Sequence, residues 1–444
     1  MDKQQVTNTA GIIGGSMAGL LAARVLADHY AQVTILERDT LPETAGNRKG
    51  VPQGRHAHAL LGRGRQIMEQ FFPGLTETLI QQGAAYGHGR FFSGGGYFAR
   101  HPQAPAALYV SRACLETEVR RRVRVLPNIR IIHECDALGL VSSPDNRRII
   151  GVQLIRRQAG SATEVLPAAL VVDASGRGSR TPAWLETLGY AKPEVDLVEV
   201  GMGYASRFYE RKPEHLNSDL LINIAPTPEN RRACGLLAQE GDRWIVTLAG
   251  YFGDHPPTDE AGYLAFSRKL PTLDVFELIS QATPLTDPIP FKFPSNQRRR
   301  YENLADFPGG LLVIGDAICS FTPIYGQGMS VAALEALALQ DCLAQGKHDL
   351  AQRFFQQTSK VIDIPWSITV GNDQRLSGAK LPAATRFINW YLGKLQAAAR
   401  HDQVLALAFL RVGNLFAAPA SLLHPRIALR VLFVALQWLP THRG

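Results

Sequence analysis

The 444-residue sequence predicts an α/β fold in which a doubly wound parallel unit is interrupted by an antiparallel sheet and followed by a helical region. Three observations predict it. Short buried-strand runs lead into Gly-containing turns at three widely separated places, after residues 13, 172 and 314. Alternating and aromatic stretches occupy about 195–295, and beyond about 346 the chain reads as helix with interruptions. The composition, 45% hydrophobic and 19% charged, belongs to a globular chain with a large core and excludes a disordered one.

Taken in order, Ala10–Ile13 is a short strand, Ala18–His29 an Ala- and Leu-rich helix, and Gln32–Leu36 the next strand, which makes one βαβ unit. Arg112–Val125 reads as helix, and Ile129–Ile132, Gly151–Ile155 and Ala169–Val172 as strands. Val198–Tyr209 and Arg243–Tyr251 carry the antiparallel pattern. Gly310–Gly315 returns to the buried-strand type, and a helix runs from Met329 to Leu343. The dinucleotide-type unit is therefore discontinuous, over 1–85, 105–190 and 300–345. The sheet layer takes 86–104 and 191–299, and 346–444 forms a C-terminal helical region. Within that region Ile427–Leu439 has one apolar face, read as a packed helix, with a membrane-surface or partner-binding helix as the other reading.

The net charge of +8 comes from 47 Lys+Arg against 39 Asp+Glu, scattered in short clusters, so anionic small molecules account for it without nucleic acid. The five Cys are widely spaced, with no Cys-x-x-Cys zinc or redox motif, and no export signal opens the chain; a cytoplasmic protein is expected. The most lipid-like window, Val404–Leu423, contains Arg411, Gly413, Asn414 and Pro419 and is not read as a span.

Three turns carry the chemistry. Gly14-Gly15-Ser16-Met17-Ala18-Gly19 lies between strand and helix, where missing side chains let helix N–H groups approach a pyrophosphate, and Ser16 holds the second glycine position. Glu37 ends the next strand 23 residues after Gly14, where a carboxylate accepts hydrogen bonds from a ribose diol and disfavours a 2′-phosphate. FAD or NAD is then the leading ligand. Leu311–Asp316 puts an acid at a strand end suited to ribityl hydroxyls, and Pro323–Met329 follows, with Gly326-Gln327-Gly328 baring amides at a helix start. Leu170–Ser179 is again a strand running into an Asp173-x-x-Gly176 turn.

In this order the three turns resemble the fingerprints of FAD-dependent monooxygenases of the para-hydroxybenzoate hydroxylase type, over about residues 10–345. Arg48–His58 and Asp242–Gly250 are most similar to the bacterial polyene epoxidases of polyether biosynthesis and their relatives acting on prenylated or polyketide substrates. The resemblance implies a Rossmann-like FAD-binding domain with an inserted substrate sheet. It implies pyrophosphate contacts at Gly14, Ser16 and Gly19, an adenosine ribose contact at Glu37, and further cofactor contacts at Gly15, Met17, Ala18, Arg38, Arg48 and Arg112. It also implies that the Asp173–Gly176 turn serves FAD and passing NAD(P)H, that Gly315 and Asp316 lie at the ribityl chain, and that Pro323, Gly326, Gln327, Gly328 and Met329 lie beside the flavin ring. The implied activity is reduction of FAD by NADPH or NADH bound transiently, addition of O₂ at flavin C4a, and delivery of one oxygen from the hydroperoxide to an apolar polyene, prenylated or polyketide-like substrate in secondary metabolism. Hydroxylation of a phenol or quinolone on the same scaffold, and flavin-dependent reduction of isoprenoid double bonds, are the alternatives. No residue announces itself as a catalytic base, which favours epoxidation.

Other features are read as structural. His56-x-His58 has no further ligand at metal spacing, so no metal is expected. Ser175 and Ser320 lack a nucleophile elbow, Trp244 is a core candidate, and Gln297–Arg300 is a solvated loop or a lure for NADPH phosphates. Phe91, Phe92, Tyr97, Tyr204 and Tyr251 are candidates for lining an apolar pocket. The C-terminal helices are candidates for peripheral membrane contact.

Overall fold

The structure, a computed structural model, describes residues 8–378, 380 and 382–437. At its centre β1 (Thr9–Ile13), β2 (Gln32–Leu36), β3 (Ile129–Ile132), β4 (Leu170–Asp173) and β5 (Leu311–Val313) form a parallel sheet in the order β5-β4-β1-β2-β3. Parallel strands are covered on both faces by their crossovers, which is why β4 and β5 are runs of buried apolar residues up to Asp173. The coverings include α1 (Met17–Ala27), α2 (Arg112–Arg124) and α3 (Gly328–Ala344). The Ala and Leu residues of α1 are buried nearly all round, because that helix lies between the sheet and its helical neighbours.

The strand expected at Gly151–Ile155 exists as Ile149–Arg156, but it pairs antiparallel with Cys135–Ser142 and Thr163–Pro167 in a separate three-stranded sheet. The connection through Ser143–Asn146, with Asn146 at φ +56, is too short for the crossover a parallel pair requires.

The second layer is an eight-stranded sheet built around Val195–Glu210, with Ile289–Arg299 on one side and Arg243–Gly250, Arg232–Gln239, Leu221–Ile224 and Arg90–Ser93 in turn on the other. Period-two alternation gives this sheet two buried faces. Tyr209, Val246 and Leu248 pack beneath the helices Glu260–Ser267 and Asp274–Gln281. Met202, Tyr204, Ala249, Tyr251 and Phe293 sit in a different cluster, together with Ile324 and Leu376. Trp244 is in the first of these cores, where its indole N–H donates to Nδ1 of His215 at 3.1 Å.

The Gln297–Arg300 run is neither a loop nor free. It ends the strand Ile289–Arg299, where buried Arg298 pairs with Asp363 and Glu302, Arg299 donates to the carbonyl oxygens of Ala317 and Arg177, and Arg300 pairs with Asp196. A charge run shows nothing of its partners when those lie on another layer. All five Cys are unpaired and buried.

After α4 (Leu350–Ser377), the helices α5 (Ala383–Ala398), α6 (Gln403–Gly413) and α7 (Pro425–Gln437) gather around their own core of Tyr391, Leu395, Leu405 and Val431. The expected helix end at Leu439 and residues 1–7 lie outside the described residues. Among the described residues no helix is long and apolar enough to cross a membrane.

Candidate functional site

The three turns named from the sequence meet at the carboxyl ends of β1, β4 and β5. Gly14 has φ +103, and a Cβ there would lie 2.5 Å from the carbonyl oxygen of Ala174, so the first and second turns touch. A Cβ at Gly19 would run into the carbonyl oxygen of Gly14, which explains the glycine at the close approach of helix to turn. Gly315, at φ +71, comes against Ala18, where an added Cβ would be 2.7 Å from its methyl group. A Cβ on Gly328 would be 3.9 Å from Oδ1 of Asp316, so the strand-end acid faces the start of α3.

Both helices that begin here offer bare amides. Ser16 caps α1 without a side-chain hydrogen bond, and neither α1 nor α3 has an acid in its first turn. The Gln327 side chain does not cap α3, because its Oε1 accepts from the Thr369 hydroxyl at 2.9 Å. These are the properties an anion or an electron-rich ring edge would meet.

Under the first turn lies a buried ion cluster. Glu37 accepts the Gly15 N–H at 2.8 Å through Oε2 and the Asp39 N–H at 2.9 Å through Oε1. Arg48 lies 3.3 Å from Glu37 and 3.5 Å from Asp39, and pairs with Glu116. Arg112 donates to the Ser16 hydroxyl at 2.8 Å and to Glu116 at 3.0 Å, and Ser16 in turn donates to Glu116 at 2.8 Å. Burial alone would raise the Glu116 pKa, but Arg112 and Arg48 hold it below the usual range. With Arg120 beside Glu116, three cations oppose three carboxylates. Glu37, expected at a ribose, is thus also the brace of the loop. Arg38, just past the end of β2, is exposed.

The second turn is braced in the same way. Asp173 is fully buried and accepts from the Ser175 N–H at 2.9 Å and from the hydroxyls of Ser179 and Thr181 at 2.5 Å each. Its carboxylate is consumed in holding the turn, while Gly176, at φ +83, has open space around it.

Asp316 is different. Its carboxylate opens into the cleft with protein on all sides, and burial raises its pKa against the lowering pull of Arg112 and Arg177. Behind it, buried Glu335 of α3 accepts the Gly315 N–H at 2.5 Å through Oε2 and leaves Oε1 without a partner. Burial pushes the Glu335 pKa up to about 8, against the effect of the Gly315 amide, and the Asp316 charge adds to the rise.

Beyond this end is the apolar cluster of the eight-stranded sheet. The phenol oxygen of buried Tyr204 has no hydrogen-bond partner, and that of buried Tyr251 lies with Tyr325 and Asp373. Beside them Asp373 of α4 accepts from the Thr322 hydroxyl at 2.6 Å, the Asn296 amide at 2.7 Å and the Tyr325 hydroxyl at 3.0 Å. Burial raises the Asp373 pKa and lifts both Tyr251 and Tyr325 well above the usual phenol range. Tyr204 and Tyr251 were candidate lining residues in the sequence, and both face this cluster; Phe92 and Tyr97 pack instead at the far end of the sheet, ring to ring at 5.2 Å.

His56 and His58 lie between the two layers. His56 Nδ1 is 2.8 Å from the Ser206 hydroxyl, which bonds Thr247 at 2.5 Å, and Thr247 accepts the Ala57 N–H at 3.0 Å. Burial lowers the His56 pKa to about 3 and that of His58 to about 4, with Arg112 adding to the latter, so both rings are neutral. Among the described residues no cluster of His, Cys, Asp and Glu could hold a metal ion.

Sequence reasoning missed Glu116, Glu335, Tyr325 and Asp373. Only Glu116 carried a signal, its position four residues after Arg112 on a helix.

No family model matches the chain. It is 35% identical over 429 residues to Protein Rv3254 of Mycobacterium tuberculosis (strain ATCC 25618 / H37Rv), over 90% of this chain and 88% of that one. Many solved structures share the fold. A flavoprotein/dehydrogenase from Cytophaga hutchinsonii gives a TM-score of 0.66 at 14% identity, over 96% of this chain and 98% of that one. The flavin-dependent brominase Bmp2 gives 0.64 at 14%, over 97% and 98%. PqsL of P. aeruginosa, in complex with 2-aminobenzoylacetate, gives 0.64 at 17%, over 84% and 98%. The architecture is the fold of these flavoproteins, a Rossmann-like parallel unit with an antiparallel sheet layer.

Proposed function

The chain belongs to the family of Protein Rv3254 of Mycobacterium tuberculosis, and from its flavoprotein fold and the geometry of its cleft we propose that it is an FAD-dependent monooxygenase. Its substrate is an apolar polyene, prenylated or polyketide-like molecule, and NADPH or NADH is the transient reductant. The observation that carries this reading is the meeting of three Gly turns around one open carboxylate, Asp316, with two uncapped helix starts aimed at the same space.

The residues fit FAD. The 14–19 turn and the start of α1 would hold the pyrophosphate, Glu37 with Arg48 and Arg112 the adenosine side, and Asp316 the ribityl hydroxyls. When bound, FAD supplies the redox and oxygen-activating chemistry. The start of α3 at Gly328 and Met329 would stabilise negative charge on a ring edge seated against it. The apolar cluster around Met202, Tyr204 and Phe293 excludes water and orients the substrate. In the overall balance one oxygen atom of O₂ enters the substrate, and the other leaves as water with two electrons from NAD(P)H.

A second reading, hydroxylation of a phenol or quinolone, is favoured by the Asp373–Tyr325 pair and the unpartnered phenol of Tyr204. Such a substrate has a proton to give up, and this group could take it. The test is O₂ uptake coupled to NADPH oxidation by the flavin-loaded enzyme, with polyenes and phenols as candidates and isotopically labelled O₂ traced into product. Label in an epoxide supports the first reading and label in a ring hydroxyl the second. Equal turnover under argon would overturn both and leave a flavin-dependent reductase.

A further inference from the structure

The C-terminal helices carry an apolar outer face. Eight of the nineteen exposed large apolar side chains among the described residues fall within the 55 residues 383–437. Phe387 and Trp390 on α5, and Leu429, Leu432 and Phe433 on α7, are each 54–66% exposed. Phe387, Trp390 and Lys394 share one stripe of α5 at i, i+3 and i+7, and the two rings lie 5.7 Å apart. Arg426, Leu429, Arg430 and Phe433 share one stripe of α7 at i, i+3, i+4 and i+7.

These residues are not the inner faces of loosely docked helices. The opposite faces, with Tyr391, Leu395, Val431 and Val434, are buried in the region's own core, and the Tyr391 hydroxyl donates to the Leu422 carbonyl oxygen at 2.6 Å. A helix with one face already packed ordinarily presents polar residues on the other.

Charge identifies the occupant. Residues 383–437 contain six Lys and Arg but one acid, Asp402, which is taken up by the ion pair with Arg430 and by the Val404 and Leu405 amides. A second copy of this face would set Lys394 and Arg426 against further cations and bring no free acid, so self-association is opposed. Apolar and aromatic side chains interleaved with Arg and Lys match the boundary of an anionic bilayer, where rings enter the headgroup region and cations meet lipid phosphates.

We propose that α5 and α7 form a docking surface for anionic membrane lipid. The surface stands independently of the reaction in the cleft. Its test is co-sedimentation of the full chain with vesicles of phosphatidylcholine containing phosphatidylglycerol, and with phosphatidylcholine alone. The expected result is binding to the anionic vesicles that weakens as salt is raised and falls at least about tenfold in the Phe387→Ser/Trp390→Ser and Leu429→Ser/Phe433→Ser variants. Because the substituted side chains are exposed, unfolding midpoints should not move. Lys394→Gln/Arg426→Gln should flatten the salt dependence. Failure to pellet with anionic vesicles, equal binding by the Ser variants, or a concentration-dependent dimer in light scattering that Phe387→Ser abolishes would each overturn it.

Discussion

The two ends of the cleft are built on opposite electrical plans. At the Gly14–Gly19 end each charge has a partner in the chain: Arg48, Arg112 and Arg120 against Glu37, Asp39 and Glu116. At the Asp316 end polar groups are left over: the Asp316 carboxylate faces the cleft, one oxygen of Glu335 is unpaired, and the Tyr204 phenol lacks a partner. A closed network holds backbone in place and costs stability when broken. Leftover groups cost stability as they stand and are satisfied only by something that arrives. The first end therefore reads as scaffold for a binding loop, and the second as the place where ligand and substrate do their bonding.

Substitutions can break this contrast, beginning with the largest effect. Arg48→Ala leaves Glu37 and Glu116 buried with too little positive charge and should destabilise the chain by about 3–5 kcal/mol in denaturant melts. A loss below about 1 kcal/mol would show that the network is not closed. Gly14→Val forces a side chain against the Ala174 carbonyl oxygen at φ +103, and the protein should purify without flavin absorbance. Retention of flavin would refute the placement of the pyrophosphate.

Asp316→Ala should do the reverse of Arg48→Ala, with flavin lost on gel filtration and the melt moved by less than about 1 kcal/mol. Glu335→Gln addresses pH. The carboxyl of Glu335 keeps its proton in the folded state up to about 8 but releases it near 4.5 when unfolded, so its contribution to stability falls as pH rises between those values and is constant above them. Melts of the Gln variant should lose that decline, and an unchanged profile would mean that the buried acid is already ionised. The smallest effect is expected for Tyr204→Phe. Removing a buried hydroxyl that bonds nothing should change stability by less than about 1 kcal/mol, while KM rises for any substrate whose oxygen it meets.

The legible parts of the molecule were those written locally. Strand, Gly turn and helix start are contiguous in sequence, so the turns at Gly14, Asp173 and Asp316 could be found, and the structure brings them to one place. What was illegible is long-range pairing. Arg48 and Glu116 are 68 residues apart, Asn296 and Asp373 are 77 apart, and Asp373 sits in no pattern of its own. Arg298 and Arg299 read as solvated or phosphate-seeking because a cation's partner on another layer leaves no trace beside it. Asp173 was recognisable as a turn residue, but that its carboxylate would be spent on Ser179 and Thr181 depended on where those hydroxyls fold back.

His56, wedged at the waist between the two sheets, gives acid a grip on the molecule. Once released from its pocket the ring takes a proton near 6.5, yet inside it stays neutral down to about 3, so each step down in pH between those values favours states in which the ring has left that pocket. Mild acid would therefore weaken the seat of His56 against Ser206, Tyr204 and Phe291.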